Sequence, residues 1–261
     1  MKSRASLVAT IPTDKGLHQR QIKVPKRQID VLVYELRPTD QGGADMLVRE
    51  RMTRHPVTVS PNTSVPEALD IMHREKVRRL PVLGKRGQLV GIVLEKDLLY
   101  ASPSPATSLN IYEMHYLLAK LTVAEVMSQD VITVDEITPL EEAARIMADN
   151  MIGGLPVVRG DQLVGIITET DLFKTFLEML GAREKGVRLT LEVPDQRGML
   201  ASITGAIADV GGDIVSLSTF WGEDLTTGVI TVKVREGTAT KRQLVEAMER
   251  LGLEVEDIRE T

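Results

Sequence analysis

Residues 52–86 align with residues 127–161 at a constant offset of 75, and residues 88–99 align with 162–173 at an offset of 74 after one deletion at Gly87. Of these 47 pairs, 19 are identical, against about three expected from average residue usage. No other feature limits the fold as tightly, because a unit copied once builds the same local structure twice and gives every site a counterpart. Each copy reads strand, helix, strand, strand, helix. The β-branched runs Val57-Thr58-Val59 and Ile132-Thr133-Val134 open the two copies. Helix starts follow at Ser64 with Glu67 and at Thr138 with Glu141, both at capping-box spacing, with Pro139 at the first helical position. Ala68, Ile71 and Met72, matched by Ala143, Ile146 and Met147, put apolar groups on one helical face that must pack on a sheet. Leu80 to Leu83 and Leu89 to Val93 flank a polar turn with Gly84 and Gly87, a hairpin signal that recurs as Leu155 to Val158 and Leu163 to Ile167 around Gly160. A last helix begins near Glu95 or Glu169.

Around the repeat the chain divides into an extension (1–45), the first copy (46–101), a link with an amphipathic segment (102–121), the second copy (122–180) and a C-terminal domain (187–261). The extension carries a net charge of +3, eight basic against five acidic groups, and one strand-like run from Ile29 to Tyr34. It reads as a flexible arm or an over-extended reading frame, without a function of its own. The link Ala101-Ser102-Pro103-Ser104-Pro105 is a stiff, turn-forming stretch, and Leu109, Tyr112, Tyr116 and Leu117 after it fall on one helical face that packs between copies or against a second subunit. After a Gly181 to Gly186 hinge, strand and helix patterns follow in the order βαββαβ, a ferredoxin-like plait. The fold class is α+β.

Composition removes whole classes of chemistry. There is no cysteine, which excludes disulfides, thiolate zinc sites and cysteine nucleophiles, and His18, His55, His73 and His115 have no metal-ligand spacing. No catalytic residues and no metal ligands are assigned. A formal charge of −5 and 3% aromatic residues argue against a nucleic-acid partner. Apolar runs are far short of the roughly 20 residues that cross a bilayer, so a cytoplasmic address without membrane contact is the default expectation.

Leu-Pro-Val before the hairpin and the glycine-to-aspartate signature after it, twice in register, resemble a tandem pair of cystathionine-β-synthase-type (CBS) domains, the Bateman module, over residues 47 to about 180. The resemblance implies a pseudo-two-fold disc with a central cleft for an adenine nucleotide (AMP, ADP or ATP) or S-adenosylmethionine as regulatory ligand. The second copy carries the full signature, Gly165-Ile166-Ile167-Thr168-Glu169-Thr170-Asp171. Amides at a helix start plus a threonine hydroxyl suit a phosphate, and a carboxylate three residues on can accept both ribose hydroxyls. The resemblance assigns Thr168 to phosphate, Asp171 to ribose, and Ile132 with the Leu155-Pro156 edge to the adenine, with Thr133 and Ile167 in the same nucleotide site. The same Thr168-x-x-Asp171 spacing is also that of a capping box that needs no ligand. In the first copy Leu94 replaces the hydroxyl, leaving Asp97, so two unequal cavities are expected. Arg78 and Arg79 precede Leu80, where related modules place a phosphate-facing base, while the second copy has Gly153-Gly154 there; the arginines either serve the partner site across the pseudo-two-fold or are merely solvated.

The C-terminal segment, with Val193-Pro194-Asp195-Gln196-Arg197-Gly198-Met199-Leu200 and Gly211-Gly212-Asp213-Ile214, resembles an ACT domain. That resemblance implies a small-effector site at a subunit interface lined by Asp195, Leu200, Gly212, Asp213 and Ile214. Asp213 stands where asparagine is common, and a second carboxylate beside Asp195 would repel an amino acid's carboxylate. From Met46 onward the combination resembles the acetoin utilization regulators of the AcuB type. It implies a non-enzymatic, homodimeric regulator that senses an adenine nucleotide and acts on an unidentified partner protein. A dimerisation module without a nucleotide is the alternative.

Overall fold

The computed structural model describes residues 32–34, 46–101, 120–221 and 227–261. The amphipathic segment from Leu109, the Ser102 to Pro105 link and the tip of the C-terminal hairpin lie outside the described residues. The chain forms two compact units, Met1–Leu172 and Phe173–Thr261.

In the first unit the elements are β1 (Leu32–Tyr34), α1 (Val48–Arg51), β2 (Thr53–Arg54), α2 (Val65–Glu75), β3 (Arg79–Leu83), β4 (Leu89–Leu94), α3 (Glu95–Ala101), α4 (Val123–Val126), β5 (Ile132–Asp135), α5 (Leu140–Asp149), β6 (Gly154–Arg159) and β7 (Gln162–Thr168); α6 (Glu169–Met179) begins there. A five-stranded sheet runs β1-β5-β6-β7-β2, and β3 and β4 form a two-stranded hairpin. The run singled out in the extension contributes β1, parallel to β5 with Leu32 opposite Ile132. Both hairpin turns use glycine with positive φ, Gly87 at 78° and Gly160 at 59°, a backbone state that costs other residues energy.

Two sequence expectations need correction. Val57-Thr58-Val59 is not a strand like its counterpart β5: only Val59 bridges, to Val82. The expected box at Thr138 and Glu141 does not form, and Thr138 Oγ1 is buried without a partner. The helix starts one residue later, and Pro139 fills the N-cap place that Ser64 holds in the first copy. Proline offers no side-chain oxygen, whereas Ser64 Oγ accepts from the Glu67 amide at 3.3 Å.

The copies are interlocked by their lead-in segments. Val48, from the opening of the first copy, is fully buried in the second copy's core with Val134, Ile146, Leu155 and Ile167. Its amide donates to the Thr138 carbonyl at 2.9 Å. Reciprocally, Val123 fills the core of the first copy beside Val65, Met72, Leu80 and Val93, and its amide donates to Thr63 O at 2.8 Å. The signature glycines permit this exchange. A Cβ on Gly91 would stand 2.6 Å from Met127 Sδ and 2.9 Å from the Ser128 carbonyl oxygen, and one on Gly165 would collide with Met52 Sδ and meet Thr53 O at 3.0 Å.

The second unit continues with β8 (Gly186–Pro194), α7 (Met199–Asp209), β9 (Ile214–Trp221), β10 (Thr227–Arg235), α8 (Lys241–Arg250) and β11 (Val255–Glu260). The antiparallel sheet has the order β11-β8-β10-β9, which with two helices is the plait of a βαββαβ chain. Alternate residues Leu189, Leu191 and Val193 of β8 and Ile230, Val232 and Val234 of β10 meet Ile203, Ile207, Leu244 and Met248 of the helices in one core.

Candidate functional site

In the second copy β7 ends at Thr168 and α6 starts at Glu169. Asp171 Oδ2 accepts from the Thr168 amide at 2.9 Å and from its hydroxyl at 2.7 Å. Hydroxyl and acid are thus joined as a helix cap. A carboxylate has about four lone-pair positions on two oxygens, so the cap and a ribose diol are compatible uses of Asp171. The Glu169 amide is taken by Gly153 O at 3.1 Å. Any phosphate must therefore be met chiefly by groups other than these two amides.

Arg79 brings a cation to this helix start. Its guanidinium reaches Gly153 and Gly154 at the start of β6, within 2.9 Å of where a Cβ on Gly153 would lie and closer still to one on Gly154. Pairing within the second-copy hairpin sets Gly154 opposite Thr168. Burial lowers the affinity of Arg79 for its proton, the Glu169 carboxylate opposes that, Arg78 adds to the lowering, and Asp171 again opposes it. Arg78 behaves differently: its side chain is exposed, and its carbonyl accepts from the Glu95 amide at 2.9 Å.

The other residues assigned to the nucleotide site divide in two. Leu155 and Ile167 face each other across the hairpin and are fully buried in the core, so beyond the core they offer backbone rather than side chain. Ile132 is half-buried, Pro156 is buried, and Thr133 is fully buried with Oγ1 lacking a partner. In the first copy Leu94 and Asp97 are half-buried at the matching strand end and helix start.

The C-terminal candidates do not come together within one chain. Asp195 and Leu200 lie before and at the start of α7, while Gly212, Asp213 and Ile214 follow its end. Eleven helical residues separate the groups by roughly 16 Å. A site using both needs a second chain. Asp213 is also engaged: Arg235 Nε donates to its Oδ2 at 2.7 Å, and Arg235 Nη1 donates to Glu184 at 3.3 Å. Asp213 therefore presents a paired carboxylate, not the bare repulsive charge expected from sequence. A cleft of about 870 Å³ lies elsewhere in this unit, between the starts of β8 and α8 and the end of β11. It contains none of the five assigned residues, and Lys241 on its rim is paired with Glu260 at 3.1 Å.

Among the described residues no group of three acids or histidines is placed to hold a metal ion, and no helix is long and apolar enough to cross a membrane.

The CBS-domain family profile matches residues 48–104 and 123–178. A CBS domain-containing protein of Dictyostelium discoideum is 31% identical over 136 residues, covering 52% of this chain and 94% of that protein. Among solved structures, one of a Vibrio cholerae protein assigned to acetoin utilization (AcuB) is 33% identical, covers 53% of this chain and 96% of that one, and has a TM-score of 0.45. The structure of CBSX2 in complex with AMP is 31% identical, covers 51% of this chain and 96% of that one, and has a TM-score of 0.42. Some relatives are much longer: the chain spans 23% of the Methanocaldococcus jannaschii L-aspartate semialdehyde sulfurtransferase, at 31% identity over 131 residues. All these similarities leave about half of this chain uncovered.

Proposed function

The chain belongs to the CBS-domain-containing proteins, and from that premise we propose that it is a non-enzymatic regulator that senses an adenine nucleotide at its second copy. The observation that carries this reading is the junction of β7 and α6, where Thr168, Asp171 and the guanidinium of Arg79 converge on one helix start. A cation, a helix N-terminus and a carboxylate within reach of one another suit a phosphate joined to a ribose. Ile132, half-buried, and the backbone edge of Leu155-Pro156 are the surface for the base. The first copy has Asp97 but no hydroxyl at Leu94, and it makes the weaker cavity.

Ligand linkage is the physical mechanism. A nucleotide that binds one arrangement of the two copies favours that arrangement, by about 2.7 kcal/mol at 100 times Kd. The output goes to a partner protein or a second copy of the chain. The resemblance to the acetoin utilization regulators supports acetoin or central carbon catabolism as the proposed setting, and the C-terminal plait, read as an ACT domain, is the proposed seat for a small effector between two chains. One observation favours the rival reading of a dimerisation module without a ligand: the Thr168–Asp171 pair is already satisfied as a cap.

Melting temperatures separate the two readings. AMP, ADP, ATP and S-adenosylmethionine are compared at saturating concentration, and at least one is expected to raise the transition by about 5–10 °C. Thr168→Val and Asp171→Asn are expected to melt cooperatively without ligand and to lose most of that rise. A transition indifferent to all four compounds supports the ligand-free module.

A further inference from the structure

The two copies differ in a complementary way. Arg79 in β3 stands opposite Leu94, which offers no hydrogen bond, while Gly154 in β6 stands opposite Thr168, which offers a hydroxyl. The repeat alignment makes Arg78-Arg79 the counterparts of Gly153-Gly154. One strand start therefore has the cation without the hydroxyl, and the other has the hydroxyl without a side chain beside it. The Arg79 guanidinium lies at the second strand start, not at its own.

Neither glycine is needed for its backbone conformation, since neither has positive φ. What they provide is space. A Cβ on Gly154 would run into Arg79 Nη1 and stand 3.0 Å from its Cζ; one on Gly153 would be 2.9 Å from Nη2 and 2.8 Å from Glu169 Oε2. Resting on the nucleotide reading above, we propose that Gly153 and Gly154 are positioning residues. Their bare backbone admits Arg79 of the first copy to the second-copy site, where it selects a phosphate-bearing nucleotide over an uncharged nucleoside. The same bareness leaves the first-copy site without a reciprocal cation, so each chain takes one phosphorylated nucleotide.

The test compares dissociation constants for AMP and adenosine in the intact chain and in Arg79→Met, Gly154→Ala and the double variant. The unmodified chain is expected to bind one AMP, at least about tenfold tighter than adenosine, the scale of losing a hydrogen bond to a charged group. Arg79→Met and Gly154→Ala should each abolish that preference, Gly154→Ala should leave adenosine binding unchanged, and the double variant should be no worse than either single one. Gly153→Ala, whose Cβ meets only side-chain ends, makes the same comparison if Gly154→Ala fails to fold against the Ile167 carbonyl 3.1 Å away. Equal affinity for AMP and adenosine in the unmodified chain overturns this inference alone. So does an AMP preference that survives in a folded glycine variant, or a parallel loss of both compounds in that variant. Binding of neither compound by the unmodified chain overturns this inference, and the nucleotide reading falls with it only if ADP, ATP and S-adenosylmethionine also leave the melting transition unmoved.

Discussion

Ser64 Oγ accepts from the Glu67 amide at 3.3 Å and closes the first turn of α2, a cap whose loss costs about 1 kcal/mol. The Ser64 cap was legible because serine and the glutamate three residues on agree with one start. The start of α5 was not: Thr138 and Pro139 each suit an N-terminus, and only packing decides which position each occupies. Arg79 was legible as a basic residue beside Leu80, but no local pattern says which copy it faces. Among exposed ion pairs, Glu136 with Arg159 gives a pH prediction. Hydrogen bonding from Arg159 holds the Glu136 carboxyl below its ordinary value of 4.5, against a smaller effect of burial. A native pKa below the unfolded one stabilises above pH 4.5, and that contribution is lost as pH falls through the native value. Urea midpoints measured from pH 7 to 3 should therefore fall more for the unmodified chain than for Glu136→Gln, the two curves converging in acid. Parallel curves would contradict the assignment.

At the scale of elements, the repeat made the hairpins and the long helices legible, because period and turn residues are local signals. The exchanged lead-in segments were not. Met46 to Met52 reads as the opening of the first copy, yet Val48 packs in the second. Four-residue α1 and α4 carry too little pattern to reveal a long-range partner. The exchange does explain the signature glycine, since Ile92 and Ser128 bond amide to carbonyl in both directions at 2.9 Å across Gly91. Gly91→Ala should force that backbone apart and cost about 1–3 kcal/mol in denaturant unfolding. A cost within experimental error would mean the approach is slack.

For the molecule as a whole, the order of elements in the C-terminal unit followed from its alternating and helical patterns, while the separation of its candidate effector residues by α7 emerged only from the topology. The two units differ in how they can be cut. Residues 173–261 contain their own core, together with Lys233 Nζ donating to Gly181 O at 2.9 Å. That fragment should unfold cooperatively, followed through Trp221, the chain's sole tryptophan. A fragment of residues 46–101 should not, because it lacks Val123 from its core. Cooperative unfolding of the shorter piece would contradict the interlocked description. The most direct test of the sensor account is a crystal structure of the intact chain grown with millimolar AMP. The account predicts one nucleotide per chain, with its ribose on Asp171, its phosphate between the α6 start and Arg79, and its base against Ile132 and the Leu155-Pro156 edge. A structure in which those side chains keep to one another and the nucleotide is absent, or lies elsewhere, would contradict it.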